Sequence, residues 1–150
     1  MIRRALAGPS LSVVAALAVV MTALPVQAGS TEPALALANV TASTNDGAVT
    51  LVVVGNYDHQ DVVRLGYPVT VVVTAGGTVA RLGLDGSVTV AVGAGPPAPV
   101  PGAPGVIGIA PDRLTAVLPP ALASAQAASV RLEADFGGTL LRSNAAEVTW

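Results

Sequence analysis

Apolar and polar residues alternate in short runs along most of this chain, a period of two that is typical of β-strands with one buried face. Residues 67–75 place Tyr67 and three valines on one face, and residues 130–136 alternate apolar with charged residues. The second run predicts a half-buried strand with a solvated face. Its charged residues are Arg131, Glu133 and Asp135. Leu51–Val54 is apolar without alternation, so this strand is predicted to be covered on both faces or to meet a partner there.

Turn residues separate these runs. Gly76-Gly77 and Gly137-Gly138 each predict a two-residue hairpin, and residues 84–87 predict a further turn. Short strands at a spacing of roughly 8–12 residues predict an all-β fold, an antiparallel β-sandwich. Two segments complete the prediction: residues 62–65 as the start of a strand, and residues 119–128 as a short helical turn.

A proline-rich segment interrupts the pattern at residues 94–105, which hold five prolines. Proline lacks the backbone N–H that a sheet ladder uses, so we predict an extended loop that cannot join a ladder. The main interpretation is a crossing from one sheet to the other. The alternative is a docking segment for an aromatic groove on another protein.

The N-terminus has the zones of a secretory signal peptide. Arg3 and Arg4 precede the uncharged apolar run Leu11–Leu24, and residues 25–28 offer a helix-breaking proline followed by a cleavage site after Ala28. The alternative is an uncleaved membrane anchor, but the run has 14 residues where a spanning helix needs roughly 20. We therefore predict a signal peptide at residues 1–28, a single β-sandwich domain at residues 29–150, and no membrane span after cleavage.

The amino-acid composition limits the chemistry and the partners that this domain can have. The absence of cysteine excludes a disulfide framework and thiolate metal sites. Loss of Arg3 and Arg4 with the leader changes the formal net charge from −2 to −4, which disfavours nucleic acid and anionic membranes as partners. Only 11% of the residues are charged, against a typical ~25%, which leaves apolar surface for contact with a partner. We expect a secreted or periplasmic bacterial protein.

The closing part of the chain, residues 113–150, resembles the second half of IPT/TIG-type immunoglobulin-like domains. The residues that carry the resemblance are Leu114, Pro119, Val130, Leu132, Gly137, Gly138, Ser143, Asn144, Ala145, Val148 and Trp150. The opening half lacks the proline-led first strand and the Gly-rich element of that family. The resemblance implies an immunoglobulin-like sandwich and transfers no activity, because such domains serve as spacers, adhesive modules or accessories.

The polar segment 56–61 has the densest set of ligand-type side chains. Its candidate metal ligands are Asn56, Asp58, His59 and Asp61. Oxygen ligands favour Ca²⁺, and the histidine would favour a transition metal instead. The alternative is an ordinary solvated loop, and we expect no cofactor.

Catalysis is not expected. His59 is the only histidine, no Gly-x-Ser-x-Gly motif supplies a nucleophile, and Glu133 and Asp135 share one strand face where a glycosidase needs carboxylates across a cleft.

The favoured hypothesis is a non-catalytic protein that acts in binding or in assembly of the cell envelope or surface. Its contact surface would be the Val-rich strands Leu51–Val54 and Val69–Val73, through their edges or an apolar sheet face. These surfaces would hold a protein partner or a second copy of the chain. The alternatives are a small-ligand or Ca²⁺-binding module that uses residues 56–61, and an enzyme that depends on His59.

Overall fold

Two antiparallel sheets pack face to face and confirm the predicted all-β sandwich. The computed structural model describes residues 35–57 and 59–150, without the side chains of residues 61, 63 and 64. The predicted signal peptide and its cleavage site at Ala28 lie outside the described residues. In the part of the chain that is described, no helix is long and apolar enough to cross a membrane.

The smaller sheet, sheet A, has four strands in the order β1-β2-β8-β7. Their bounds are β1 Ala36–Asn45, β2 Ala48–Asn56, β7 Gly105–Ala110 and β8 Arg113–Val117.

The larger sheet, sheet B, has seven strands, in the order β10-β9-β3-β4-β5-β6, with β11 also paired to β9. Their bounds are β3 Val69–Ala75, β4 Thr78–Gly83, β5 Val88–Val92, β6 Ala98–Pro99, β9 Ala127–Phe136, β10 Thr139–Arg142 and β11 Ala146–Thr149.

The core lies between the inner faces of the two sheets. Alternate residues of the central strands fill it and are fully buried, as the period of two predicts. Sheet A contributes Val49, Leu51, Val53, Leu114 and Ala116, and sheet B contributes Val71, Val73, Leu82, Val130 and Leu132. The β-branched valines suit this arrangement, because their restricted rotamers pack well on a pleated surface.

The predicted glycine turns are present. Gly76 and Gly77 join β3 to β4 with φ of +54° and +79°, and Gly137 and Gly138 join β9 to β10 with φ of +57° and +89°. Positive φ at both central residues is what a two-residue hairpin requires, and glycine adopts it without strain. Of the helical turn predicted at residues 119–128, only Pro120–Ala123 is helical, as α2, and strand β9 already begins at Ala127.

One strand prediction was wrong. Residues 62–65 belong to helix α1, His59–Leu65, and do not begin a strand. The two valines there suggested a strand because of their high β-propensity. The chain has to pass from sheet A at Asn56 to sheet B at Val69, and a seven-residue helix makes that connection.

The proline-rich segment corrects one prediction and confirms another. Pro99 and Ala98 form strand β6 and pair with Thr89 and Val90 of β5, so the segment does join a ladder. The pairing is possible because β6 is a two-residue edge strand, where proline is tolerated. The chain then crosses to sheet A at Gly105, as the main interpretation of this segment predicted.

The Val-rich strands have no free edges. Strand β2, which contains Leu51–Val54, lies between β1 and β8, and strand β3, which contains Val69–Val73, lies between β9 and β4. The prediction that these two strands offer edges to a partner was therefore wrong. Their valines alternate between the core and the outer faces of the two sheets.

Asn144 links the two sheets at one side of the sandwich. Its Oδ1 accepts a hydrogen bond from the Leu37 N–H at 2.8 Å, and its Nδ2 donates to the Leu37 carbonyl at 3.1 Å. The contact falls where β1 has a bulge between Leu37 and Asn39. Ser143, beside it, accepts from the Leu132 N–H at 2.8 Å, which holds the bend between β10 and β11. The amide thus takes the place of a neighbouring strand at this edge.

We expect Asn144→Ala to lower the free energy of unfolding by about 1–3 kcal/mol, because two backbone groups of Leu37 lose their partner. The measurement is urea denaturation. Asn39→Ala is the matched control, since Asn39 is an exposed amide on β1, the strand that contains Leu37. We expect this control to change stability by less than about 0.5 kcal/mol. Equal effects from the two variants would contradict the role given to Asn144.

Candidate functional site

The predicted metal segment ends one strand and begins a helix. Asn56 is the last residue of β2, and His59 is the first residue of α1. Asp58 and the side chain of Asp61 lie outside the described residues, so the structure neither brings the four candidate ligands together nor separates them. Among the described residues, no three histidine or acidic side chains group closely enough to hold a metal ion. The metal site stays a prediction.

Tyr57, within the same segment, is a buried anchor. Its hydroxyl donates a hydrogen bond to the Ala110 carbonyl at the end of β7, and its ring meets the His59 ring edge-on, with centroids 5.6 Å apart. Burial raises the pKa of the Tyr57 hydroxyl, and the Asp112 carboxylate raises it further, so Tyr57 remains a neutral donor. The start of α1 is thereby tied to the turn between β7 and β8.

A cavity of about 460 Å³ opens beside this anchor, within the ~300–1,000 Å³ typical of small-molecule sites. Its walls come from α1, the start of β3, the turn between β4 and β5, and the edge strand β7. The lining residues include Tyr57, His59, Tyr67, Asp85, Ser87 and Ile109. The walls are mainly apolar, with a few polar groups among them, as in many ligand sites.

The polar side of the cavity is the turn that follows β4. Asp85 Oδ1 accepts from the Ser87 N–H at 3.0 Å and from the Ser87 hydroxyl at 2.6 Å, and these bonds lower the pKa of the Asp85 carboxyl. A Cβ at Gly83 would lie 2.4 Å from both Asp85 Oδ1 and Ser87 Oγ, so a larger residue there would displace this hydrogen-bonded pair of side chains. The Ser87 hydroxyl is therefore engaged by Asp85.

Aromatic residues are scarce in the chain and concentrated here. The whole sequence has two tyrosines, one phenylalanine, one tryptophan and one histidine. Both tyrosines and the histidine line the cavity, and Phe136 packs edge-on against Tyr67 with ring centroids 4.9 Å apart. Trp150 instead packs against the core and donates from Nε1 to the Ala123 carbonyl at 2.9 Å.

Strand β7 forms an open edge next to the cavity. It pairs with β8 on one side and has no strand on the other among the described residues. Its sequence, GVIGIA, contains no charge, and Ile107 and Ile109 are 59% and 48% exposed. Natural proteins commonly protect such edges with lysine, proline, a β-bulge or a covering loop. This strand lacks a charged residue that would oppose pairing, and its bulge, between Val106 and Gly108, leaves residues 108–110 in regular register with β8.

The charges of the two sheets differ sharply. In the four strands of sheet A the only charged residue is Arg113. The outer face of this sheet consists mainly of half-buried Thr50, Val52, Val54, Thr115 and Val117. Sheet B carries the other charged strand residues, which are Arg81, Arg131, Glu133, Asp135, Arg142 and Glu147.

Glu133 forms ion pairs with three of these residues on the outer face of sheet B. Its carboxylate accepts from Arg81 at 2.5 Å, from Arg131 at 2.8 Å and from Arg142 at 3.1 Å. The side chain is only 2% exposed, so the prediction that Glu133 lies on a solvated strand face was wrong. Burial of the carboxyl raises its pKa, but the bonds from the arginines outweigh burial and lower the pKa of Glu133 from 4.5 to about 2.

Sequence reasoning found His59 and the segment around it but missed the rest of the cavity. Asp85, Ser87 and Ile109 are 26 or more residues away from His59 along the chain, and only the packing of the sheets brings them to one place. One local signal was available. The two tyrosines flank α1, and a chain poor in aromatics seldom places two of them so close together.

Comparison of the sequence and the structure with known proteins gives no match to a family model, to a curated protein or to a solved structure. The function has to be argued from the residues themselves.

We expect Glu133→Gln to lower the free energy of unfolding at pH 7 by about 2 kcal/mol, because three arginines lose their shared anion. The value is kept modest because the guanidinium groups are partly exposed and screened by solvent. Urea denaturation measures it. Glu147→Gln, an exposed carboxylate on the same sheet, is the control and should leave stability nearly unchanged.

The stability difference between wild type and Glu133→Gln should depend on pH in a defined way. A folded pKa of about 2, below the ordinary 4.5, means that the contribution of Glu133 to stability is fully present above pH 4.5. It is lost as the pH falls from about 4.5 towards 2. The difference in unfolding free energy between wild type and Glu133→Gln should therefore shrink over this interval, and a difference independent of pH would contradict the assignment.

The metal prediction is tested by thermal melts with and without Ca²⁺ or Zn²⁺. If residues 56–61 bind the ion, the melting temperature rises with its concentration, because the ion binds only the folded state. Asp58→Asn should abolish that rise, and Asp46→Asn, in the turn between β1 and β2, should not. A melting temperature unchanged by both ions would refute the metal site.

Proposed function

We propose that this protein is a non-catalytic binding module, exported to the periplasm or the exterior of a bacterial cell, that acts in envelope or surface assembly. It binds an extended segment of another polypeptide along the edge of sheet A. The observation that carries the proposal is strand β7, an uncharged edge strand with two exposed isoleucines.

The backbone and the side chains of β7 both suit the addition of a strand at this edge. The backbone groups of an edge strand pair with an incoming strand, and the side chains beside them select it. Ile107 and Ile109 provide apolar contact, and no charge in β7 would be desolvated without a partner when a second strand arrives. These are the features by which an edge accepts another chain.

The charge distribution favours the same side of the molecule. After loss of the predicted leader the net charge is −4, which disfavours an acidic partner. The strands of sheet A contain no acidic residue, and the acidic residues of this sheet lie in its turns, at Asp46 and Asp112. The outer face of sheet A, which includes Val52 and Val54, extends the apolar contact surface away from β7. An apolar sheet face therefore remains part of the proposed contact surface.

Two sequence features support the cellular setting of the proposal. Residues 1–28 have the organisation of a cleavable signal peptide. The resemblance of residues 113–150 to IPT/TIG-type domains agrees with a spacer or adhesive role. Neither feature argues for catalysis.

The test places a photo-cross-linking amino acid at Ile107 in β7 and, as a matched control, at Leu140 in β10. Both are exposed aliphatic residues, at 59% and 50%, but they lie on different sheets. We expect a specific adduct from position 107 in envelope fractions and none from position 140. Light scattering of the purified protein shows whether the partner is a second copy or another protein.

The decisive measurement is hydrogen exchange in the isolated complex. Strand addition slows exchange of those backbone amides of residues 106–110 that point away from β8, and Ile107→Lys should weaken the complex at least about tenfold, whereas Leu140→Lys should not. A monomer at high concentration with no adduct from position 107, or equal effects of the two lysine variants, would contradict the proposal.

A further inference from the structure

The cavity beside Tyr57 has the composition of a ligand site, and of its lining residues the proposed polypeptide docking uses only Ile109. It gathers both tyrosines and the only histidine of a chain that is 3% aromatic. Tyr57 is itself a buried member of the core, which is otherwise built from valine, leucine and alanine, whereas His59 lies outside the core and Tyr67 is only partly buried against it. We infer that the cavity binds a small neutral ligand with several hydroxyl groups, of the size of a mono- or disaccharide.

Hydrogen-bonding capacity in the cavity is partly unused. Asp85 Oδ1 accepts both bonds from Ser87, while Oδ2 accepts none from another residue in the described part of the chain. The imidazole of His59 touches the Tyr57 ring but makes no hydrogen bond within the described residues. The hydroxyl of Tyr67, another lining residue, likewise has none there.

These groups form a mixed set of donors and acceptors. A carboxylate oxygen only accepts, a tyrosine hydroxyl donates and accepts, and a neutral imidazole does one with each nitrogen. A hydroxyl group on a ligand can also do both, so a polyhydroxylated molecule satisfies all three residues. A metal ion would need more converging ligands than the described residues bring together here.

The charge of the cavity excludes anions. Asp85 is the only charged side chain among the described lining residues, and its lowered pKa keeps it ionised at neutral pH. An anionic ligand would be repelled. The apolar walls, which include Val62, Leu84 and Ile109, suit the carbon-bound hydrogens of a sugar ring.

Isothermal titration calorimetry on the mature protein tests the inference with a panel of neutral sugars: glucose, galactose, mannose, N-acetylglucosamine and trehalose. Choline and sulfate represent the cationic and anionic alternatives. We expect at least one sugar to bind saturably, with a dissociation constant of about 1 mM or tighter, and neither ion to bind.

Two conservative variants identify the site. Asp85→Asn keeps the acceptor for Ser87 but loses the charge, and should weaken sugar binding about tenfold; Tyr67→Phe keeps the ring but loses the hydroxyl, and should weaken it about fivefold. Glu147→Gln makes the same change as Asp85→Asn on sheet B, away from the lining residues, and should have no effect. Thermal melts verify that each variant is folded, and Tyr67→Phe decides the matter if Asp85→Asn does not fold.

Three results would overturn the inference. The first is no saturable binding of any sugar at concentrations about tenfold above 1 mM. The second is preferential binding of choline or sulfate. The third is sugar binding that both cavity variants leave unchanged.

Discussion

The arrangement of charge in this molecule depends on one buried carboxylate. Glu133 accepts hydrogen bonds from arginines of β4, β9 and β10, so a single anion joins three strands of sheet B. Val72, fully buried although it lies outside the main core, pairs in register with Arg81 and Arg131 and is covered on the outer face of sheet B. A buried carboxylate without partners would be costly, and three guanidinium groups offset that cost. The outer face of sheet B is thereby closed by a polar layer.

Glu133 and its three arginines form this layer in a chain that has few charged residues. Only 11% of the residues are charged, and the strands of sheet A receive Arg113 alone. Sheet A therefore exposes threonine, valine and isoleucine where many soluble proteins place lysine and glutamate. The two faces of the sandwich have different physical characters as a result: one is sealed by ion pairs, and the other can be desolvated at low cost. A binding surface is expected on the second.

Local sequence features account for much of this fold, because hairpins and half-buried strands leave local signals. The paired glycines at 76–77 and 137–138 and the alternation in residues 130–136 each specify their element without reference to the rest of the chain. Helix α1 could not be found in this way, since its valines favour a strand and its helical state follows from the connection it makes. The contact of Glu133 with Arg81 and the contact of Asn144 with Leu37 span 52 and 107 residues, and no local pattern reports them. The cavity is likewise a product of tertiary packing.

Strand β7 joins the two surfaces that carry the functional argument. Ile109 belongs both to the exposed edge and to the wall of the cavity, and Ala110, next to it, accepts the hydrogen bond of the Tyr57 hydroxyl. A polypeptide paired with β7 would order the same backbone that bounds the cavity, and a ligand in the cavity would order β7 in return. If one binding event changes the affinity of the other, thermodynamic linkage requires the reverse effect to have the same factor. The edge and the cavity therefore share a structural element, and their binding properties have to be measured together.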